Sequence, residues 1–214
     1  MTFLQTDPLY SIDLSDPEDP VVTGELKVPG FSQYLHPIND DNSVLIAIGQ
    51  DADENGRVLG LKLSLFDVSK DLDNPEELDV YVFEQDQNTW SGSTASWDER
   101  AFRYFNVGGG EGGRLIIPVS IQSWGETFES RNFEGFMVFS VIDNKIKLVY
   151  EIDHSAPSAY QYYYGCGWLP ERSFVIRGDV MTLKRDSVVS TDLATGANEW
   201  RLNIEELDLC EDSW

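Results

Sequence analysis

Apolar residues fall in short runs, most of them alternating with polar ones at every second position, and helical spacing is nearly absent. Two of these runs organise the stretch from Gly30 to Ser69. Val44–Ile48 is continuous, rich in β-branched residues and closed by Gly49. Leu61–Val68 alternates, with Leu61, Leu63 and Leu65 on one face and Lys62, Ser64 and Phe66 on the other. A polar, glycine-marked loop joins the two, so they read as paired strands. Tyr34–Ile38 precedes them as a third strand, and Leu78–Phe83 follows as an outer one after a turn at Asp71–Pro75. Upstream, Leu9–Leu14 and Val21–Val28 pair around Ser15–Pro20, where two prolines and two aspartates favour a reversal.

The unit then recurs. Ala101–Phe105, Arg114–Ser120, Gly135–Val141 and Lys145–Ile152 form a second set, with a glycine-rich turn at Asn106–Gly113. Ser173–Arg177, Val180–Lys184, Val188–Asp192 and Glu199–Ile204 form a third, with turns at Gly178-Asp179 and Ala194–Asn198. Asp13, Asp67, Ser140 and Asp192 each end a third-position strand before a polar turn, roughly 50 to 75 residues apart. A four-stranded propeller blade takes roughly 40–50 residues, and the longest interval carries an insertion at Gln122–Asn132.

The expectation is an all-β chain, a partial β-propeller of about three to four four-stranded antiparallel blades. It divides into a half blade at 1–29, blades at 30–84, 85–154 and 155–207, and a tail at 208–214. A β-sandwich shares the short strands and frequent turns. Closed propellers have four to eight blades. A count of about three and a half therefore predicts part of a longer ring, a truncated copy, or a subunit that completes its ring with a partner. Self-association through exposed blade faces follows from the last.

Composition narrows the partners. The 214 residues, 41% hydrophobic and 12% aromatic, suffice for a folded core. Thirty-eight acidic against 15 basic residues give a net charge of −23. A surface so negative repels nucleic acid and anionic membrane. The acids are dispersed along the chain, which reads as a solvated surface. No apolar run reaches the roughly 18 residues of a membrane helix, and the N-terminus shows no signal-peptide pattern. Cys166 and Cys210 lack metal or redox spacing; they form one disulfide in an oxidising compartment or stay two thiols in a reducing one.

Three clusters carry candidate chemistry. Asp51, Asp53 and Asn55, followed by Gly56, give the D-x-D-x-N-G opening of a calcium loop, but Leu59 and Lys62 stand where ligands nine and twelve belong. The same residues make an ordinary hairpin loop, so calcium is the one cofactor the motif admits. Tyr162, Tyr164 and Trp168 form an aromatic cluster suited to stacking on sugars or peptides, or to filling the wedge between blades. Trp90 and Trp97 invite the same two readings. Of the two histidines, His36 is expected near the propeller axis, buried and bonded to backbone; His154 is expected in solvent. Asp98, Glu99 and Arg100 suggest an ion pair or a turn, and no G-x-S-x-G elbow supports a hydrolase triad, so no catalytic residue is assigned.

Three blocks in order, DPLYSIDLSDPEDPVVTGELKVPGFSQYLHPI, IGQDADENGRVLGLKLSLFDVS and SWDERAF, resemble the secreted "beta propeller domain" family, described as distantly related to WD-40 repeats. They cover about residues 7–105, and a weaker match continues through RLIIPVS and FEGFMVFSV to about Ile204. The resemblance implies an extracellular or cell-envelope propeller, larger than this chain and without an assigned activity. The function expected is a non-catalytic acidic scaffold for binding or assembly, with a protein or glycan partner. The alternatives are a glycan-acting or other hydrolytic enzyme built on a propeller, and a calcium-stabilised structural module.

Overall fold

The structure, a computed structural model, describes residues 8–68, 74–83, 88–108, 112–124, 132–155, 170–184 and 187–203. The strands in chain order are β1 Leu9–Asp13, β2 Val21–Leu26, β3 Phe31–Pro37, β4 Val44–Ala52, β5 Val58–Asp67, β6 Glu76–Val82, β7 Thr89–Gly92, β8 Arg103–Asn106, β9 Gly113–Ser123, β10 Phe133–Ile142, β11 Lys145–Asp153, β12 Arg172–Ile176, β13 Asp179–Lys184, β14 Ser187–Asp192 and β15 Asn198–Asn203. They build four antiparallel sheets: β1-β2, β3-β4-β5-β6, β11-β10-β9 with β7 and β8 both on β9, and β12-β13-β14-β15. This is a partial β-propeller.

The sheets are copies of one unit at the level of register. Each has a bulge where its last strand pairs: after Ser11, Leu65, Val138 and Ser190. Two residues beyond each of those four lies Asp13, Asp67, Ser140 or Asp192, so the positions that mark the repeat in the sequence are equivalent in the fold. A bulge bends the strand and sharpens its twist, as an outer blade strand requires. Two-residue turns close the tight hairpins. Asp143 and Asn144 have φ of 50° and 57°, and Arg177 and Gly178 have 55° and 93°, the paired positive values that match strand twist. The second of these turns lies one residue earlier than the sequence suggests.

Side-chain parity shows how the sheets sit. Ile46, Ile48, Leu61, Leu63 and Leu65 share a core with Leu115, Ile117, Val119, Met137 and Phe139 of the third sheet. The alternate residues Leu45, Ala47 and Phe66 pack with Leu9, Leu26 and Val28 instead. On the third sheet, Ile116, Phe136 and Val138 turn the other way and join Val180 and Val189 of the fourth. Each middle sheet is therefore covered on both faces by different neighbours, which excludes a two-layer sandwich. Tyr81 and Phe139 pack edge to face across the second interface, 5.0 Å apart, and Lys145 reaches Asp79 at 2.7 Å along its outer edge.

The third sheet departs from four strands, and the cause is local. Its inner edge is shared by β7, opposite Ser120–Ser123, and β8, opposite Gly113–Ile116. Ser93–Phe102 loops out between them, through 3-10 turns at Thr94–Ser96 and Glu99–Ala101. Opposite this excursion stands Pro118, whose carbonyl accepts from Ser93 Oγ at 2.5 Å. A strand residue presents N–H and C=O to the same side, so the N–H that proline lacks would have faced the gap. Ala101 and Phe102, which the alternation assigns to a strand, belong to this excursion, and β7 is too short and polar to stand out in the sequence.

Candidate functional site

The inner strands β3, β8 and β12 converge on one open groove. The groove has a volume of about 520 Å³ and is lined by His36 from β3, Glu99, Arg100 and Phe102 from the excursion, Arg103 and Tyr104 from β8, and Arg172, Ser173 and Phe174 at β12. The interruption at Pro118 is what brings the excursion to the groove. Ser93 caps its first turn by accepting from the Ala95 N–H, and Asp98 caps the second by accepting from the Arg100 N–H.

The floor is aromatic. Phe102 lies 5.1 Å from Tyr34, edge to face, and 5.3 Å from His36; Tyr104 lies 6.0 Å from His36. His36 is half-buried, and its Nδ1 shares a 3.1 Å hydrogen bond with the Tyr34 hydroxyl. The expected backbone bond is thus replaced by a side-chain one, because the ring points along the groove to the neighbouring phenol. Burial lowers the His36 pKa, which keeps the ring neutral near pH 7. Burial, then the charge of Glu99, raises that of Tyr34, and burial alone raises Tyr104.

The walls are tied by arginines. Arg172 Nη1 meets Asp98 Oδ2 at 2.8 Å, and Arg103 Nη2 donates to the Ser173 carbonyl at 3.3 Å, so both couple the third sheet to the fourth. Burial alone would raise the Asp98 carboxyl; the Arg100 N–H and Arg172 outweigh it and hold it below the usual carboxylate range. Asp98 thus serves a turn and an ion pair together. Trp97 beside it is 69% exposed and Trp90 45%, so neither ring is wedged between blades.

Behind the groove lies a polar cluster between the third and fourth sheets. Lys184 is buried, with Nζ 3.2 Å from Glu134, 2.5 Å from Glu171 and 3.3 Å from Ser120 Oγ. Thr94 Oγ1 donates to Glu171, linking the cluster to the excursion. Beside it stands His154, expected in solvent but 3% exposed. Its Nδ1 lies 2.8 Å from Ser187 Oγ and its Nε2 2.8 Å from Thr182 Oγ1, with Phe136 against the ring. A neutral imidazole has one donor and one acceptor, which two hydroxyls satisfy without a charge.

Burial, with help from Arg201 and Lys184, pushes the His154 pKa down to about 4. In the unfolded chain the group titrates near 6.5, so the folded state loses stability as pH falls from about 6.5 to 4. The loss expected from this one residue is about 3 kcal/mol. Urea midpoints of the native chain and a His154→Gln variant, followed over that range, should converge as pH falls. Parallel curves would show that the imidazole is not held neutral.

The remaining candidates lie elsewhere. Asp51 sits on β4, 3.8 Å from Lys62 Nζ, which also donates to the Pro29 carbonyl. Asp53 Oδ1 accepts from the N–H groups of Asn55 and Arg57, both at 2.9 Å. These carboxylates order the β4–β5 hairpin, and a cation there competes with Lys62. Among the described residues no three His, Cys, Asp or Glu side chains gather as a metal site. Tyr162, Tyr164, Trp168, Cys166 and Cys210 lie outside the described residues. The arginine-lined groove is the feature that sequence reasoning missed; the alternation of Arg100, Phe102, Arg103 and Tyr104 is its one local signal.

The chain is 38% identical over 157 residues to the uncharacterised protein MJ1554 of Methanocaldococcus jannaschii, covering 72% of this chain and 20% of that protein. It is 52% identical over 91 residues to an uncharacterised protein of Archaeoglobus fulgidus, covering 42% of this chain and 13% of that one. The chain thus spans a fifth or less of either relative. Among solved structures, Saccharomyces cerevisiae Sqt1 aligns over 92% of this chain and 68% of its own, at 6% identity and a TM-score of 0.30. The family model described as "Beta propeller domain" matches residues 1–196, and with each middle sheet packed between two neighbours the chain belongs to that family.

Proposed function

We propose that the chain is a non-catalytic binding and assembly scaffold whose first and last sheets are its contact surfaces. One observation supports this reading. The middle sheets bury apolar residues on both faces of their central strands, whereas the first and last sheets each leave a set of theirs in water. Tyr10, Ile12 and Val22 are at least half exposed on the first sheet, and Ile176, Trp200 and Leu202 are 44–55% exposed on the last. Register puts Trp200 and Leu202 side by side on one face of β15, since Trp200 opposes Ser190 and Leu202 opposes Val188 across β14–β15. Blades within this molecule associate through such faces, so the occupant assigned to them is a sheet of the same kind from a second copy. The reading includes the extracellular or envelope setting that the family resemblance carries.

Light scattering after size exclusion tests the assembly. The net charge opposes association, so added salt at about 0.5 M, which shortens the screening length below 8 Å, should favour it. A dimer or larger species is expected, returning to monomer in a Trp200→Asp, Leu202→Asp variant of unchanged melting temperature. A native chain that stays monomeric at both salt levels would overturn the proposal.

A further inference from the structure

The groove at the inner strands carries an inference independent of the assembly faces: we propose that it binds an organic anion, a carboxylate with an apolar body. The sign of charge is the first ground. In a chain with 38 acidic and 15 basic residues, the lining holds three arginines against one glutamate. Structural duty accounts for little of that charge. Arg172 is neutralised by Asp98. Arg103 spends one of its five donors on the uncharged Ser173 carbonyl, and among the described residues neither it nor Arg100 is in an ion pair. Glu99, the one acidic lining residue, is on the same turn and also acts on the Tyr34 hydroxyl.

The second ground is the floor. Phe102, Tyr104 and the neutral His36 ring give the same groove an apolar, π-faced part beside its arginines, within a volume suited to a small molecule. A guanidinium offers a planar fork that matches a carboxylate, and the rings bury the body attached to it. An inorganic anion would use the arginines and leave the rings wet. A neutral aromatic would use the rings and leave the arginines unmet. The combination selects a ligand with both parts.

Benzoate is the minimal probe, with benzamide as its uncharged counterpart and inorganic phosphate as the anion without a body. In two-dimensional amide NMR of the whole chain, benzoate should shift residues 36, 99–104 and 172–174 saturably. Benzamide and phosphate should do so at least tenfold more weakly. Arg100→Gln, at an exposed position outside the ties between sheets, should weaken benzoate several-fold with the rest of the spectrum unchanged, and Arg103→Gln should weaken it several-fold with shifts of its own at residues 172–174, where its bond to Ser173 is lost. Arg100→Lys should fall between, since it keeps the charge and loses the fork. Equal binding of benzoate and benzamide, shifts confined to other surfaces, or arginine variants that bind as the native chain does would each overturn the proposal.

Discussion

Replacing Lys184 by methionine is expected to cost about 3–5 kcal/mol of unfolding free energy. Methionine keeps most of the volume of the chain but removes the ammonium that faces Glu134 and Glu171. Those carboxylates are themselves 16% and 14% exposed, so they cannot turn to water for compensation. Two negative charges would then face each other without the ammonium that stands between them. The penalty belongs to the pair left behind and not to the lysine as such, which gives the prediction a second arm. Adding Glu134→Gln and Glu171→Gln to Lys184→Met should recover most of the loss, a non-additivity that independent sites do not show. Urea unfolding of the native chain, the single variant, the Glu134→Gln, Glu171→Gln double variant and the triple variant measures both. A single variant within about 1 kcal/mol of native, or a triple variant weaker than the single one, would show that the cluster does not lock the third sheet to the fourth.

The second large effect lies at the other interface of the third sheet. Phe139 is fully buried, with Tyr81 at 5.0 Å and Phe83 at 5.9 Å, both edge to face. Phe139→Ala removes a ring from a core drawn from two sheets, and the expected cost is about 3–5 kcal/mol. Tyr81→Ala combined with it should show a coupling of about 0.5–1.5 kcal/mol, the surplus of an aromatic pair over its buried area. Trp200→Ala, on the open face of the last sheet, should cost under about 1 kcal/mol in the monomer. A cost at Phe139 as small as that at Trp200 would mean that the second and third sheets do not bury each other. The contrast between these two aromatic residues separates inner faces from outer ones more sharply than either value alone.

Legibility followed the range of the interaction. The alternation of Leu61, Leu63 and Leu65 against Phe66 was readable because strand parity is local, and the structure sends the two sets to different neighbours. The positions Asp13, Asp67, Ser140 and Asp192 were readable because a turn residue at a strand end repeats with the unit. His154 was not readable. Its partners Thr182 and Ser187 come 28 and 33 residues later, on the next blade, and nothing beside it in the sequence marks it as buried. The groove was hidden for the same reason, since His36, Arg103 and Arg172 come from three separate strands. Pro118 was the missed clue. A proline inside the run Leu115–Ile121 argues against an unbroken strand partner on the side its nitrogen faces, and the excursion that builds one wall of the groove fills that side.

The function proposed here depends on that stacking, because both the open end faces and the groove exist only if successive sheets stand side by side with β3, β8 and β12 inward. Methyl NOE spectroscopy on a chain labelled at Ile, Leu and Val tests this most directly, through two adjacent residues of β9. Ile117 should show contacts to Leu61, Leu63 or Leu65 of the second sheet, and Ile116 to Val180 or Val189 of the fourth, with neither set crossing over. If both isoleucines reported to one and the same sheet, or if Ile116 faced solvent, the chain would be a two-layer sandwich and the stacking described here would be wrong.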